Sequence, residues 1–192
     1  MRHQKETSIA NMIAILAASL LTLTSASPSV FPPRKTDQLS LARHGEAQSQ
    51  TKSNCPNKWL DASLMDMGCL FFNATKSMTW VDANIVCQTT PNATLVDIAT
   101  EVQMGFLQME LDVIANAEGT THSWWTAGTD VGLNGRWIWA TTLTNVGDFV
   151  WQNAYPSSNT NNNCLMLYPS YGYLAVNYPC DDASRYPICQ LK

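Results

Sequence analysis

The texture of apolar and polar residues changes several times along this chain. Residues 9–23 are almost wholly apolar or small, broken only by Asn11 and a few Ser and Thr. Arg2, His3 and Lys5 precede this stretch and Thr24-Ser25-Ala26 follows it. A positive start, a short apolar run and a small-residue exit predict a secretory signal peptide over 1–26, cleaved after Ala26. A membrane anchor is the competing reading, but a spanning helix needs about 20 apolar residues and this run is shorter. Residues 27–54 hold Pro28, Pro32 and Pro33 among Ser, Gln and Lys, with only scattered apolar positions. Such a stretch buries too little surface to offset its ordering entropy and reads as a flexible linker or leader.

From Cys55 onward the pattern becomes that of a folded domain over 55–192. Cys69-Leu70-Phe71-Phe72 predicts a strand ending at a turn. Trp80, Ala83, Val86 and Cys87 then recur at helical spacing behind Thr79, with Asp82 placed to meet the helix dipole. A short apolar run, Leu95-Val96-Asp97-Ile98, follows. Val102, Phe106, Leu107, Met109, Leu111, Val113 and Ile114 predict a second amphipathic helix over 100–117, with Gly119 as its stop. Beyond residue 120, Trp124, Trp125, Trp137, Ile138, Trp139 and Trp151 are spaced by Gly, Asn, Asp and Thr, as in short strands and long loops. Helices followed by strands, with no βαβ alternation, predict an α+β fold with antiparallel sheet.

Composition adds the compartment. All six cysteines, Cys55, Cys69, Cys87, Cys164, Cys180 and Cys189, lie beyond the apolar N-terminal stretch. An even number in a secreted chain predicts three disulfides, with 15 possible pairings. Zinc binding is disfavoured, because no two cysteines and no two histidines stand at ligand spacing. Asn73-Ala74-Thr75 and Asn92-Ala93-Thr94 are glycosylation sequons consistent with secretion. The formal net charge is −4 and no basic stripe is visible, which gives no reason to expect a nucleic-acid partner. Nothing after the signal is apolar enough over sufficient length for a membrane span.

The order and spacing of several short motifs resemble the C-type lectin-like domain family from Cys55 to Cys189. Cys55-Pro56 with Trp59 is similar to the family's opening hairpin, and Trp80, Ala83 and Cys87 match its Trp-x-x-Ala-x-x-x-Cys helix. Leu95 to Ile98 with Glu101 and Phe106 match the entry to the second helix. Trp125-Thr126-Ala127-Gly128 stands in altered form where the family has Trp-Ile-Gly. Gly135-Arg136-Trp137-Ile138-Trp139 matches Gly-x-Trp-x-Trp, and Trp151 with Pro156 matches the long loop. The resemblance implies two helices with antiparallel sheets and a long loop, and the pairings Cys55–Cys69, Cys87–Cys189 and Cys164–Cys180.

The resemblance also implies where a calcium-dependent sugar site would lie. Sugar-binding members use Glu-Pro-Asn or Gln-Pro-Asp in the long loop and Trp-Asn-Asp before the fifth cysteine. Here these positions read Tyr155-Pro156-Ser157 and Ala175-Val176-Asn177. Calcium takes six to eight hard oxygen ligands and depends on carboxylates for charge. None remains at the altered positions, so calcium is disfavoured as a cofactor. Asp148, Asp181 and Asp182 are weak candidates for a divergent metal site, and Asn159, Asn161, Asn162 and Asn163 offer only neutral oxygens.

Tyrosines suggest a different surface. Tyr155, Tyr168, Tyr171, Tyr173 and Tyr178 crowd the loop and neighbouring strands, each pairing a flat apolar face with a hydroxyl. The candidate ligand-binding residues are Tyr155, Ser157, Asn159, Asn163, Tyr168, Tyr171, Tyr173 and Asn177, with the tryptophans assigned to the core. Catalysis is not expected: His122 is the only histidine beyond the signal and linker, and paired cysteines leave no thiol nucleophile. The expected role is a secreted recognition protein for carbohydrate or another ligand. The alternative is a protein-interaction or matrix module with no glycan binding. The linker carries neither heptads nor collagen-type repeats that would specify an oligomer.

Overall fold

The computed structural model describes residues 54–192. The signal-peptide expectation for 1–26, and the linker expectation for 27–54 apart from Asn54, lie outside the described residues.

The domain begins with a hairpin of β1 (Leu60–Asp61) and β2 (Cys69–Phe72), paired antiparallel and stapled by Cys55–Cys69 with a Cα separation of 5.5 Å. Gly68 sits at φ +65°, and a Cβ there would stand 2.2 Å from the Leu191 carbonyl oxygen, so only glycine lets the hairpin close against the C-terminal strand. Helix α1 (Trp80–Cys87) starts at Thr79, whose hydroxyl accepts from the Asp82 amide and donates to the Asp82 carboxylate at 2.9 Å. This reciprocal cap satisfies one orphan amide and keeps a negative charge in the first turn. Ala83 and Cys87 face the core, and Cys87 is tied to Cys189.

Strand β3 (Ala93–Leu95) leads through buried Val96 and Ile98 into α2 (Glu101–Glu118). Thr100 caps α2 by accepting from the Gln103 amide, and Gly119 ends it at φ +67°. Gln103 is itself buried: its side chain accepts from Ala99 at 2.7 Å and donates to the Met65 carbonyl at 3.0 Å, locking the helix start to the hairpin. The apolar pattern misplaces part of this helix. Met104, Leu107 and Leu111 are buried, but Val102, Met109 and Val113 are 68%, 53% and 57% exposed. The core accepts only one side of α2, and apolar residues also occupy the opposite side.

Strands β4 (Trp124–Thr129), β5 (Ile138–Trp139), β6 (Cys164–Tyr168), β7 (Leu174–Tyr178) and β8 (Tyr186–Leu191) complete the sheet. Its path is β1-β2-β8-β4-β6-β7, with β3 also on β8 and β5 on β4. Every ladder is antiparallel except β4 with β8, where Trp124 lies opposite Tyr186 and Trp125 opposite Pro187. The sheet is therefore mixed at one pairing.

All six residues of β4 are buried. The indole N–H of buried Trp125 donates to the Met78 carbonyl at 2.9 Å, and that of half-buried Trp80 to the Thr126 carbonyl at 2.8 Å, so both tryptophans satisfy their one polar group. The disulfides are Cys55–Cys69, Cys87–Cys189 and Cys164–Cys180, the three pairings that the resemblance implies. Among the described residues no helix is long and apolar enough to cross a membrane.

Candidate functional site

The segment from β5 to β6 is a long loop with little regular structure, and side chains substitute for the missing ladder. Trp151 bridges to Ala175, and the Gln152 amide donates to the Ala175 carbonyl at 2.9 Å. Trp137 and Trp151 pack edge to face with centroids 5.0 Å apart, pinning the loop base. Farther along, the chain passes a cis Tyr155–Pro156 peptide bond and a run of Ser, Thr and Asn before returning at Cys164.

Asn177 holds that distal segment. Its Oδ1 accepts from the Ser157 amide at 2.7 Å, and its Nδ2 donates to the Ser157 carbonyl at 3.1 Å and the Asn162 carbonyl at 3.0 Å. The residue is 2% exposed. Asn177 is thus a strut between β7 and the loop, and it also lines the hollows beside it. Asn163 has a parallel duty: its Nδ2 donates to Asp130 Oδ1 at 2.9 Å, and its carbonyl accepts from Thr129 Oγ1 at 2.8 Å. Asp130 is 7% exposed, and its other oxygen accepts from the Gly135 amide at 3.0 Å. This buried carboxylate was not legible in the sequence, where it stands alone before Val131 and a Gly- and Asn-rich turn.

These struts leave two adjoining hollows. One, of about 420 Å³, is lined by Asn, Ser and Thr of the loop together with Asp130 and Trp137. The other, of about 290 Å³, is lined by Tyr155, Tyr168, Tyr171, Tyr178, Asn162 and Arg185, among others. Three tyrosines meet here. Tyr171 lies 6.1 Å from Tyr155 and 5.4 Å from Tyr168, centroid to centroid, and is itself 39% exposed. Burial, then the neighbouring Tyr171 and Tyr168, push the Tyr155 hydroxyl above its ordinary value of 10.0. It stays protonated, a hydrogen-bond donor as well as an acceptor, at neutral pH. Arg185 sits over the Tyr178 ring at 4.5 Å and forms one wall, a placement with no local signal in the sequence.

Tyr173 does not join this group. It is 2% exposed, and its buried hydroxyl has no hydrogen-bond partner. Burial, with a lesser effect of Asp112, raises its pKa above 10.0. Tyr173 is corrected from a candidate ligand residue to a core residue: the left-handed turn at φ +61° aims its ring inward. Asn159 is exposed and its carboxamide oxygen accepts from the Asn161 amide at 3.1 Å, shaping its own turn on the hollow's rim.

The three acidic candidates do not converge. Asp148 lines a hollow beside Trp137 and Trp151, Asp181 lines another beside Val131 and Pro179, and Asp182 is engaged by Ser184 and Arg185. Burial would raise the Asp182 pKa, but the Ser184 hydroxyl and amide, helped by Arg185, reverse this and hold it below 3.8. Among the described residues no three His, Cys, Asp or Glu side chains gather as a metal-binding group.

A model of the lectin C-type domain matches residues 76–191. The chain belongs to the C-type lectin domain family. Human lithostathine-1-alpha is 27% identical over 158 residues, covering 80% of this chain and 90% of that protein. Mouse lithostathine-1 is 25% identical over 124 residues, covering 65% and 72% respectively. The solved structure of human lithostathine aligns with a TM-score of 0.60 at 26% identity, over 72% of this chain and 99% of that one. A calcium-independent type II antifreeze protein shares the fold with a TM-score of 0.55 at 18% identity, over 71% of this chain and 92% of that one. Within this C-type lectin fold, Tyr155, Ser157 and Asn177, the positions where the resemblance implies altered motifs, line the tyrosine-walled hollow together with Arg185.

The sequons lie at turns. Asn73 follows β2, its Oδ1 accepting from the Thr75 hydroxyl at 2.6 Å, and Asn92 is exposed in a left-handed turn before β3.

Proposed function

We propose that this C-type lectin domain is a secreted recognition module that binds a carbohydrate directly, without a calcium bridge, in the tyrosine-walled hollow. The observation that carries the reading is the clustering of Tyr155, Tyr168 and Tyr171 beside a rim of neutral loop amides and hydroxyls. Tyrosine rings offer apolar faces to the C–H side of a sugar ring, while their hydroxyls and the loop amides hydrogen-bond its hydroxyl groups. The Asn177 side chain supports this reading, because three hydrogen bonds commit it to holding the loop.

Binding rather than catalysis is the proposed activity. His122 is committed to Glu118 at 2.8 Å and packs against Tyr186, and every described cysteine is in a disulfide. Secretion is supported by those disulfides, which persist in oxidising compartments. Glycosylation at Asn73 and Asn92 belongs to the same proposal, as does the absence of a nucleic-acid partner.

Glycan-array binding of the disulfide-bonded protein, run with calcium and with chelator, tests this. The expected result is binding to uncharged oligosaccharides that chelator leaves unchanged and that Tyr171→Ala abolishes. Binding that requires calcium would overturn it. Capture of a protein ligand at the same tyrosines, with no glycan bound, would replace it with the protein-recognition reading.

A further inference from the structure

Helix α2 carries a second apolar face. Val102, Met109 and Val113 are 68%, 53% and 57% exposed. At about 100° per residue these three side chains fall within roughly 20° of a single line along the helix. They point away from the side formed by Met104, Leu107 and Leu111, which is buried. At a rise of about 1.5 Å per residue the stripe runs for roughly 16 Å. A helix of this kind has two faces to cover, and the fold covers one.

Charge says what covers the other. The helix contains no lysine or arginine, and its charged residues are Glu101, Glu110, Asp112 and Glu118. By the same helical angle, Glu101 and Asp112 border the stripe on one side and Glu110 on the other. Glu118 lies at the C-terminal end, where a negative charge meets the unfavourable end of the helix dipole. Acidic residues along both borders disfavour a second copy of the same face, since like charges would oppose each other across the contact.

We propose that the exposed face of α2 is a docking surface for a protein segment that presents apolar side chains flanked by lysine or arginine. The apolar stripe supplies desolvation and the acidic borders select the partner and steer its approach. This surface is independent of the tyrosine-walled hollow, so either assignment stands or falls alone.

The test uses the full disulfide-bonded chain and three fluorescent peptides. One is an amphipathic helix of leucine and lysine, the second of leucine and glutamate, the third of serine and lysine. The leucine–lysine peptide is expected to bind, with affinity that falls as salt rises. The other two are expected to bind at least about ten-fold more weakly, a factor equal to 1.4 kcal/mol. Met109→Ser with Val113→Ser, both at exposed positions, should cause a similar loss while the thermal midpoint stays unchanged. Glu101→Gln with Asp112→Asn should flatten the salt dependence. No binding of the leucine–lysine peptide, equal binding of either control, or indifference to the stripe variant would overturn the proposal. So would a dimer that Val113→Ser dissociates, because a second copy would then be the occupant.

Discussion

At the scale of single residues, Asn177 holds the long loop against β7. A typical intramolecular hydrogen bond contributes about 0.5–1.5 kcal/mol net, and a buried group left unpaired costs about 1–3 kcal/mol. Asn177 makes three such bonds, all to main chain. Restoring a family-type carboxylate with Asn177→Asp removes both donors and sets a negative charge against the Ser157 and Asn162 carbonyls. The expected outcome is a loss of at least about 2 kcal/mol in denaturant unfolding, with no recovery when calcium is added. A calcium-dependent rise in stability of that variant would contradict the strut assignment.

Asp182 gives a residue-scale pH prediction. Its pKa is held below 3.8 in the folded state, chiefly by Ser184 against the opposing effect of burial. A depressed carboxylate pKa stabilises the fold above the unfolded pKa, and that stabilisation is lost as pH falls through the folded value. Asp182→Asn should therefore lower the thermal midpoint at neutral pH slightly, since the carboxylate is 28% exposed and solvent screens it. The same variant should show a flatter decline than wild type below 3.8. Parallel declines in the two proteins would remove Asp182 from the acid transition.

At the scale of elements, the two sides of α2 separate burial from composition. Leu111 is 1% exposed, so Leu111→Ala should cost about 2–5 kcal/mol through lost transfer energy and an unfilled cavity. Val113, two positions on and just as apolar, is 57% exposed, so Val113→Ala should change stability by no more than about 0.5 kcal/mol. Denaturant unfolding of the two variants checks this, and equal losses would mean that the stripe is covered in the isolated chain.

The contrast marks how far the sequence was readable. Helix ends were legible because their signals are local: Thr79 with Asp82, Thr100, and Gly119 act within one turn. The inward face of α2 was not, because Gln103 enters the core through hydrogen bonds to Ala99 and Met65 while Val102 beside it is exposed. The order of cysteines and tryptophans carried the fold through its resemblance to a known domain. The site was only half legible. Tyr155, Tyr168 and Tyr171 do meet, but Tyr173 turns inward, and Asp130 and Arg185 reach the hollows through contacts between residues distant along the chain.

At the scale of the whole molecule, Cys87–Cys189 spans a sequence separation of 102 and joins α1 to the last strand. On the chain-entropy account such a loop contributes about 4.7 kcal/mol, against about 3 kcal/mol for a loop near 15 residues. The double variant Cys87→Ala with Cys189→Ala should unfold at lower denaturant than the pair Cys164→Ala with Cys180→Ala, whose separation is 16. The reverse order would show that native-state geometry, rather than loop length, sets their contributions.

Sheet, disulfides and strutted loop together hold a tyrosine-walled hollow, and direct recognition there is the proposed activity. Calorimetric titration of the disulfide-bonded protein with an uncharged oligosaccharide selected on the array tests it most directly, comparing wild type with Tyr171→Ala in chelator and in calcium. Wild type is expected to give one binding isotherm in both buffers, and the variant none in either. Heat of binding that appears only with calcium, or that survives Tyr171→Ala unchanged, would contradict it.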